Sequence, residues 1–287
     1  MSTILVTGSG GYLGSRLVQV LAADHDLISL SRSPAGNPRR VVQGDFTDAA
    51  ALTALDGERI DVVVHLAAVT GGCSEEDAMN VNVSGTRRLV RWAVEHGVRR
   101  FVLASSIAAV GCLSPTFLPR ELPIPDDYPC EAVDAYGLSK AMVEELGAYF
   151  HRQLPELDMA LARIGVVQRK DEPPVTGEIV KAMPAPFAKL GSVGVADAIT
   201  ALAAMAERPA GPGFHRVNLV ASRIRCSMPT ADTVRLLLGP KADGLDFSHY
   251  AQSGHESDSL YATSRMTELF GFRPIIDPAT LREASSL

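Results

Sequence analysis

At 287 residues, 46% hydrophobic and 21% charged, the chain can bury roughly three quarters of its unfolded surface as one or two domains. A net charge of −6 argues against nucleic acid or an anionic membrane as a partner, and no apolar run is long enough to span a bilayer. The start has no basic segment, and the scattered Cys73, Cys112, Cys130 and Cys226 lack Cys-x-x-Cys spacing, so a cytoplasmic protein with free thiols is expected.

Thr3–Thr7 reads as a short buried strand, and Gly11–Ala23 as a helix with Leu13, Leu17, Val20 and Leu21 on one side. Strands follow at Asp26–Ser31 and Arg40–Gln43, then a short helix at Asp48–Leu55 and a β-branched strand at Asp61–Leu66. A long helix over Ser74–His96, a strand at Arg100–Ala104, a helix over Ala132–Gln153 and a sixth strand at Met159–Arg163 complete the regular part. Strands alternating with helices imply right-handed crossovers and a parallel sheet covered on both faces, an α/β Rossmann-type doubly wound architecture.

Two stretches break the alternation. Leu113–Cys130 carries prolines at 115, 119, 123, 125 and 129 and reads as an ordered loop over the sheet edge. Gln168–Ser192 reads as a small cap. A helix at Val193–Glu207 and a strand at Phe214–Leu219 return to the core pattern, and the tail adds helices near Thr230–Leu238 and Thr263–Phe270. The expected organisation is a dinucleotide core from 1–167 and 193–220. A small C-terminal substrate lobe, interleaved with it, takes 168–192 and 221–287.

Two motifs carry the chemistry. Gly8, Gly11 and Gly14 follow a strand and open a helix, where glycines permit a tight turn and let backbone N–H groups approach a pyrophosphate. The turn residues Gly8, Gly11, Tyr12, Leu13 and Gly14 are therefore dinucleotide-binding candidates. Tyr136 and Lys140 lie four apart in a helical stretch and leave the same face. A phenol beside an ammonium is a general acid/base, and the lysine charge is expected to draw the tyrosine pKa down from about 10. The second strand ends in Leu30-Ser31-Arg32-Ser33, about 20 residues past the glycines. An NAD-preferring site would place a carboxylate there for the adenine ribose; Ser31 and Arg32 instead suit a 2′-phosphate. NADP is the expected cofactor, with NAD the alternative. Arg39 and Arg40 either reinforce that phosphate site or flank the third strand.

With these motifs the sequence resembles the extended short-chain dehydrogenases/reductases, the group that includes nucleotide-sugar epimerases and dehydratases. Further segments similar to that family are Gly44-Asp45-Phe46, His65-Leu66-Ala67-Ala68, Asn82-Val83-Ser84-Gly85-Thr86 and Ser105-Ser106-Ile107-Ala108-Ala109-Val110-Gly111. Val193-Gly194-Val195-Ala196-Asp197 and Leu269-Phe270-Gly271-Phe272-Arg273-Pro274 extend the likeness. The resemblance implies that Tyr136 is the general acid/base, that Lys140 is its electrostatic partner and a nicotinamide-ribose ligand, and that Ser106 rather than Ser105 binds the substrate carbonyl. It further implies cofactor contacts from Asp45, Phe46, Leu66, Ala67, Ala68, Asn82 and Ile164. The family's long helices pair into a four-helix homodimer interface, for which Leu89, Trp92, Met142 and Leu146 are expected on the outer faces. The chain departs from the family pattern at Val110, where tyrosine is common, and at Ile164-Gly165-Val166 after Arg163.

The expected activity is hydride transfer at a carbonyl or alcohol of a small substrate by Tyr-Lys-Ser machinery. The cap of about 25 residues is short for holding a nucleotide handle, and Arg163-Ile164-Gly165 is similar to the uronate dehydrogenases. A nucleotide-sugar epimerase or dehydratase using bound NAD(P) is the alternative enzyme, and a non-catalytic dinucleotide sensor the alternative outside catalysis. His65 and His96 read as structural. No His, Asp and Glu cluster shows metal-ligand spacing, so no metal is expected.

Overall fold

The computed structural model describes residues 1–36, 38–168 and 175–279. Seven strands form one wholly parallel sheet in the order β3-β2-β1-β4-β5-β6-β9. They are β1 (Thr3–Thr7), β2 (Asp26–Ser31), β3 (Arg40–Gln43), β4 (Val62–His65), β5 (Arg100–Ser106), β6 (Asp158–Ile164) and β9 (Gly213–Leu219). Between β6 and β9, β7 (Val166–Gln168) and β8 (Ser192–Gly194) pair as a separate two-stranded parallel sheet that the sequence patterns did not predict. The helices are α1 (Gly14–Leu21), α2 (Ala49–Thr53), α3 (Glu75–Asp77), α4 (Thr86–Glu95) and α5 (Ala135–Gln153), then α6 (Gly177–Ala182), α7 (Pro186–Leu190), α8 (Val195–Glu207), α9 (Thr230–Leu238) and α10 (Ser264–Phe270).

Strand order reverses between β1 and β4, which opens a crevice beyond the carboxyl ends of those two strands. The central strands read as unbroken apolar runs because both faces are covered: β4 is Val-Val-Val-His with every residue buried. One face packs Leu17, Val18 and Leu21 of α1 against Ala198, Leu202 and Met205 of α8. The other packs Leu52, Leu89, Val90, Val143 and Phe150. A third apolar cluster joins the proline-rich loop to the C-terminal part through Leu122, Ile124, Tyr128, Phe187, Ile224 and Tyr261.

Several boundaries differ from the sequence reading for local reasons. The first helix begins at Gly14, since Gly11 to Leu13 are spent on the turn; its buried face holds Val18, while Val20 is half exposed. The helix expected from Ala132 begins at Ala135, because the Asp134 carboxylate accepts the Gly137 N–H at 2.8 Å as an N-cap worth about 1 kcal/mol. The long helix expected over Ser74–His96 is interrupted by a π-helical segment at Ala78–Gly85 that carries Asn82. π-Helical turns concentrate at functional sites. Leu89 is fully buried in the core rather than on an outer face, and the Trp92 indole donates to Asp56 at 3.0 Å. The exposed apolar residues of α5 are Leu138, Met142 and Tyr149.

The loop Leu113–Cys130 does cover the sheet edge. Asp126 accepts the backbone N–H of Asn218 in β9, and the Asn218 amide donates to the carbonyls of Ile124 and Ala262. The Asp197 carboxylate at the start of α8 accepts the N–H groups of Ile275 and Ile276, which fastens the tail to the core. Part of the expected cap, residues 169–174, lies outside the described residues.

Candidate active site

A cavity of about 320 Å³ occupies the crevice at the β1/β4 reversal. Nine of the cofactor candidates line it: Gly8, Gly11, Ser31, Arg32, Asp45, Phe46, Leu66, Ala67 and Ala68. At Gly8, Gly10 and Gly14 the β1–α1 turn has no room for a side chain. Gly8 has φ +73° and hydrogen-bonds the Leu30 carbonyl, and a Cβ on it would lie 2.7 Å from the Ala67 nitrogen. This bare backbone, at the entrance to an amphipathic helix, fits a dinucleotide pyrophosphate. Gly10, Val69 and Val81 also line the cavity. Gly10 lies within the glycine turn and could have been read there; Val69 and Val81 carry no sequence signal.

The remaining candidates lie outside that lining. The exposed Tyr12 ring lies under the Arg16 guanidinium, Leu13 packs on the core, and Gly14 begins α1. The Ile164 side chain belongs to the core, and its carbonyl accepts from Ser106 Oγ at 3.5 Å. Arg39 and Arg40 both pair with Glu58, and neither lines the cavity.

Ser106, Tyr136 and Lys140 come together at the end of β5. Gly137 makes this possible: a Cβ there would sit 2.6 Å from the Ala108 carbonyl oxygen, so only glycine lets the start of α5 lie against Ile107–Val110. The Tyr136 phenol faces the Ser106 hydroxyl, and Ser106 Oγ accepts the Ala108 N–H at 3.1 Å. Burial raises the Tyr136 pKa above its ordinary value, against a smaller lowering by Ser106. This reverses the expected lowering by Lys140. The Lys140 ammonium lies 5.8 Å from the centre of the Tyr136 ring and donates to the Ala104 carbonyl at 2.7 Å. With no carboxylate beside it, burial draws its pKa down to about 8.

Asn82 connects the two halves of the site. Its Oδ1 accepts the Val69 N–H at 2.9 Å, and its Nδ2 donates to the Val69 carbonyl and to Ser139 Oγ. Ser139 in turn donates to the Tyr136 carbonyl at 2.7 Å. The cavity wall and the helix bearing Tyr136 are thus held by one amide. Buried His65 bridges Thr7 and Thr86, and burial followed by the nearby Lys140 charge lowers its pKa to about 3. A neutral imidazole joining β1, β4 and α4 fills the structural role expected of it.

Ser105 faces the other way, as alternation along a strand requires. Its hydroxyl donates to Glu144 Oε1 at 2.6 Å, and Glu144 receives a two-pronged ion pair from Arg163, both bonds 2.8 Å. Arg163 and Glu144 are essentially inaccessible. Sequence reasoning passed over this centre, although Tyr136, Lys140 and Glu144 share one four-residue spacing along α5.

The model of the NAD dependent epimerase/dehydratase family matches residues 4–168, more than half of the chain. The chain belongs to that family. It is similar to a NAD-dependent glucose-6-phosphate dehydrogenase of Haloferax volcanii, 29% identical over 59% of this chain and 70% of that protein. It is equally similar to UDP-glucose 4-epimerase 2 of Arabidopsis thaliana, 29% identical over 56% of this chain but only 51% of the relative. In fold it resembles a short-chain dehydrogenase/reductase superfamily protein from Agrobacterium tumefaciens with bound NAD, with a TM-score of 0.67 at 24% identity over 96% of this chain and 93% of the other. For this family member, no described helix is long and apolar enough to cross a membrane. The sequence showed no metal-ligand spacing, yet among the described residues the fold gathers His249, His255 and Asp258 at one point.

Proposed function

We propose that the chain is a dinucleotide-dependent oxidoreductase that acts on a carbonyl or alcohol of a small substrate. The observation that carries this reading is the Tyr136 phenol facing the Ser106 hydroxyl, with Lys140 one turn further along the same helix. A dinucleotide held over Gly8, Gly11, Ser31, Arg32, Asp45 and Phe46 would supply the hydride acceptor or donor. Ser106 Oγ donates to the substrate oxygen and orients it. Tyr136 Oη exchanges the proton with that oxygen. Its raised pKa keeps it protonated near neutral pH, the state needed to deliver a proton to a carbonyl. Lys140, protonated below pH of about 8, stabilises the phenolate formed when the proton leaves.

Tyr136→Phe tests this reading: it should retain dinucleotide binding by fluorescence titration and lose two or more orders of magnitude in turnover, about 2.7 kcal/mol of barrier or more. Near wild-type rates would contradict the assignment of Tyr136, whereas dinucleotide binding without turnover in the wild type would leave a non-catalytic dinucleotide sensor as the better reading.

The same residues serve an epimerase or dehydratase, and the similarity to a UDP-glucose 4-epimerase favours keeping that second reading. Cofactor that stays bound through purification, seen in the absorption spectrum, supports the epimerase; freely exchanging cofactor supports the dehydrogenase.

The cofactor is NADP(H) in preference to NAD(H), because Ser31 and Arg32 line the cavity where a ribose-binding carboxylate would otherwise stand. The ratio of kcat/KM for the two cofactors, in wild type and in a Ser31→Asp, Arg32→Asn double variant, should shift toward NAD by about tenfold or more. A wild type that prefers NAD overturns this preference.

A further inference from the structure

We propose that His249, His255 and Asp258 form a binding site for one divalent transition-metal ion of the Zn²⁺ class. None of the three lines the dinucleotide cavity, so the site stands apart from the reading above.

Their ligand atoms lie within 4.8 Å of one another. One carboxylate oxygen, Asp258 Oδ2, faces His249 Nε2 at 3.0 Å and His255 Nδ1 at 2.7 Å. Ligands of a tetrahedral ion bound at about 2.0–2.1 Å stand roughly 3.3 Å apart, so side-chain adjustments of about an ångström would let all three share one ion. Two imidazoles and one carboxylate are a borderline-soft donor set, suited to Zn²⁺, Ni²⁺, Cu²⁺ or Fe²⁺ and poorly suited to Mg²⁺ or Ca²⁺. The side chains remain about a third to a half exposed, at 34%, 46% and 30%. The ion could enter, and water could complete its shell.

The backbone around the ligands is fixed before any ion arrives. Buried Tyr250, next to His249, donates its hydroxyl to the Ser259 carbonyl, and its ring lies edge-on to the His249 imidazole. The Asp258 N–H bonds the His255 carbonyl, and the Asp258 carbonyl accepts Thr230 Oγ1 at 2.6 Å. Glu256 O accepts the Thr230 N–H, Ser257 O accepts from Ile224, and Ser259 N–H donates to Ser222. The loop is therefore tied on both sides of its ligands to the start of α9 and to Ser222–Ile224. A preorganised triad needs less ordering on binding. An ion here would clamp the loop 249–258 to those elements.

The test is calorimetric titration of the metal-stripped, untagged full chain with Zn²⁺. One Zn²⁺ per chain should bind with a dissociation constant on the order of micromolar, unaffected by excess Mg²⁺. His255→Ala and Asp258→Asn should each weaken binding by about tenfold or more. Co²⁺ in the wild type should give visible d–d absorption without the near-ultraviolet sulfur band of a cysteine site, which separates this triad from Cys73 and Cys130. His255 is half exposed, so its substitution should leave the fold intact, as circular dichroism would verify; should Asp258→Asn fail to fold, His255→Ala and His249→Ala decide. Absence of saturable binding, unchanged affinity in the folded variants, or a sulfur charge-transfer band would overturn the proposal.

Discussion

Adjacent serines at the end of β5 look into two buried charge centres that are built in opposite ways. On one side, Ser106 meets Tyr136 and Lys140, and among the described residues the Lys140 ammonium has a backbone carbonyl and no carboxylate as its partner. On the other, Ser105 meets Glu144 and Arg163, where a buried cation has a buried anion and both oxygens of that anion accept hydrogen bonds, although Arg163 Nη1 is left without a partner among the described residues. The pKa directions record the difference. Lys140 is drawn down by burial, whereas Arg163 is raised overall because its Glu144 partner outweighs burial, and Glu144 is lowered by the same pairing. On the reading proposed above, the group that would assist proton transfer is the one without an ionic partner, and the paired group holds structure. Both centres lie on one face of α5, four residues apart.

Breaking the paired centre should have the largest effect. Arg163→Met leaves the Glu144 carboxylate buried with Ser105, the Cys130 thiol at 3.4 Å and a 3.4 Å contact to Arg216. Urea unfolding should show a loss of about 3–5 kcal/mol, and Glu144→Leu added to Arg163→Met should recover most of it. A single variant as stable as wild type would mean that the pair is not the isolated buried unit described here.

The unpaired centre should respond in the opposite direction. The depression of Lys140 from 10.5 to about 8 corresponds to roughly 3 kcal/mol of destabilisation at neutral pH. Lys140→Met should therefore stabilise the cofactor-free protein at pH 7, by about 2 kcal/mol once the unpaired Ala104 carbonyl is allowed for, while abolishing turnover. The sign fixes the pH window. Between pH 8 and 10.5 the unfolded chain holds a proton that the folded lysine has lost, so wild-type stability rises with pH and the advantage of the variant shrinks. Denaturant melts at pH 7 and pH 10 measure this, and an equal advantage at both would contradict it.

The serines sharpen the contrast with the smallest effect. Ser105→Ala removes one hydrogen bond to a charged acceptor and should cost about 1.5 kcal/mol of stability with turnover unchanged. Ser106→Ala should lower turnover about 10- to 100-fold with stability altered by less than about 1 kcal/mol. Parallel melts and steady-state assays of the two variants would expose any exchange of these roles.

The order of strands and helices from Thr3 to Arg163, the glycine turn and the Tyr136–Lys140 spacing were legible in the sequence, because each is a local property. Strand composition, a turn with no room for Cβ and a four-residue helical offset are all written within a few consecutive residues. Where local preferences competed, the tertiary structure decided. Asp134 capped α5 three residues after the expected start, the π segment placed Asn82 between the cavity wall and Ser139, and α4 turned Leu89 into the core. The direction of the Tyr136 shift also lay beyond the sequence, since spacing shows that Lys140 is near but not how much water surrounds either group. The buried Arg163–Glu144 pair, the β7–β8 sheet and the meeting of His249, His255 and Asp258 each depend on segments brought together by the fold or by the path of a loop. Such meetings leave no periodic trace, because the residues that make them answer to the geometry of their neighbours in space rather than along the chain.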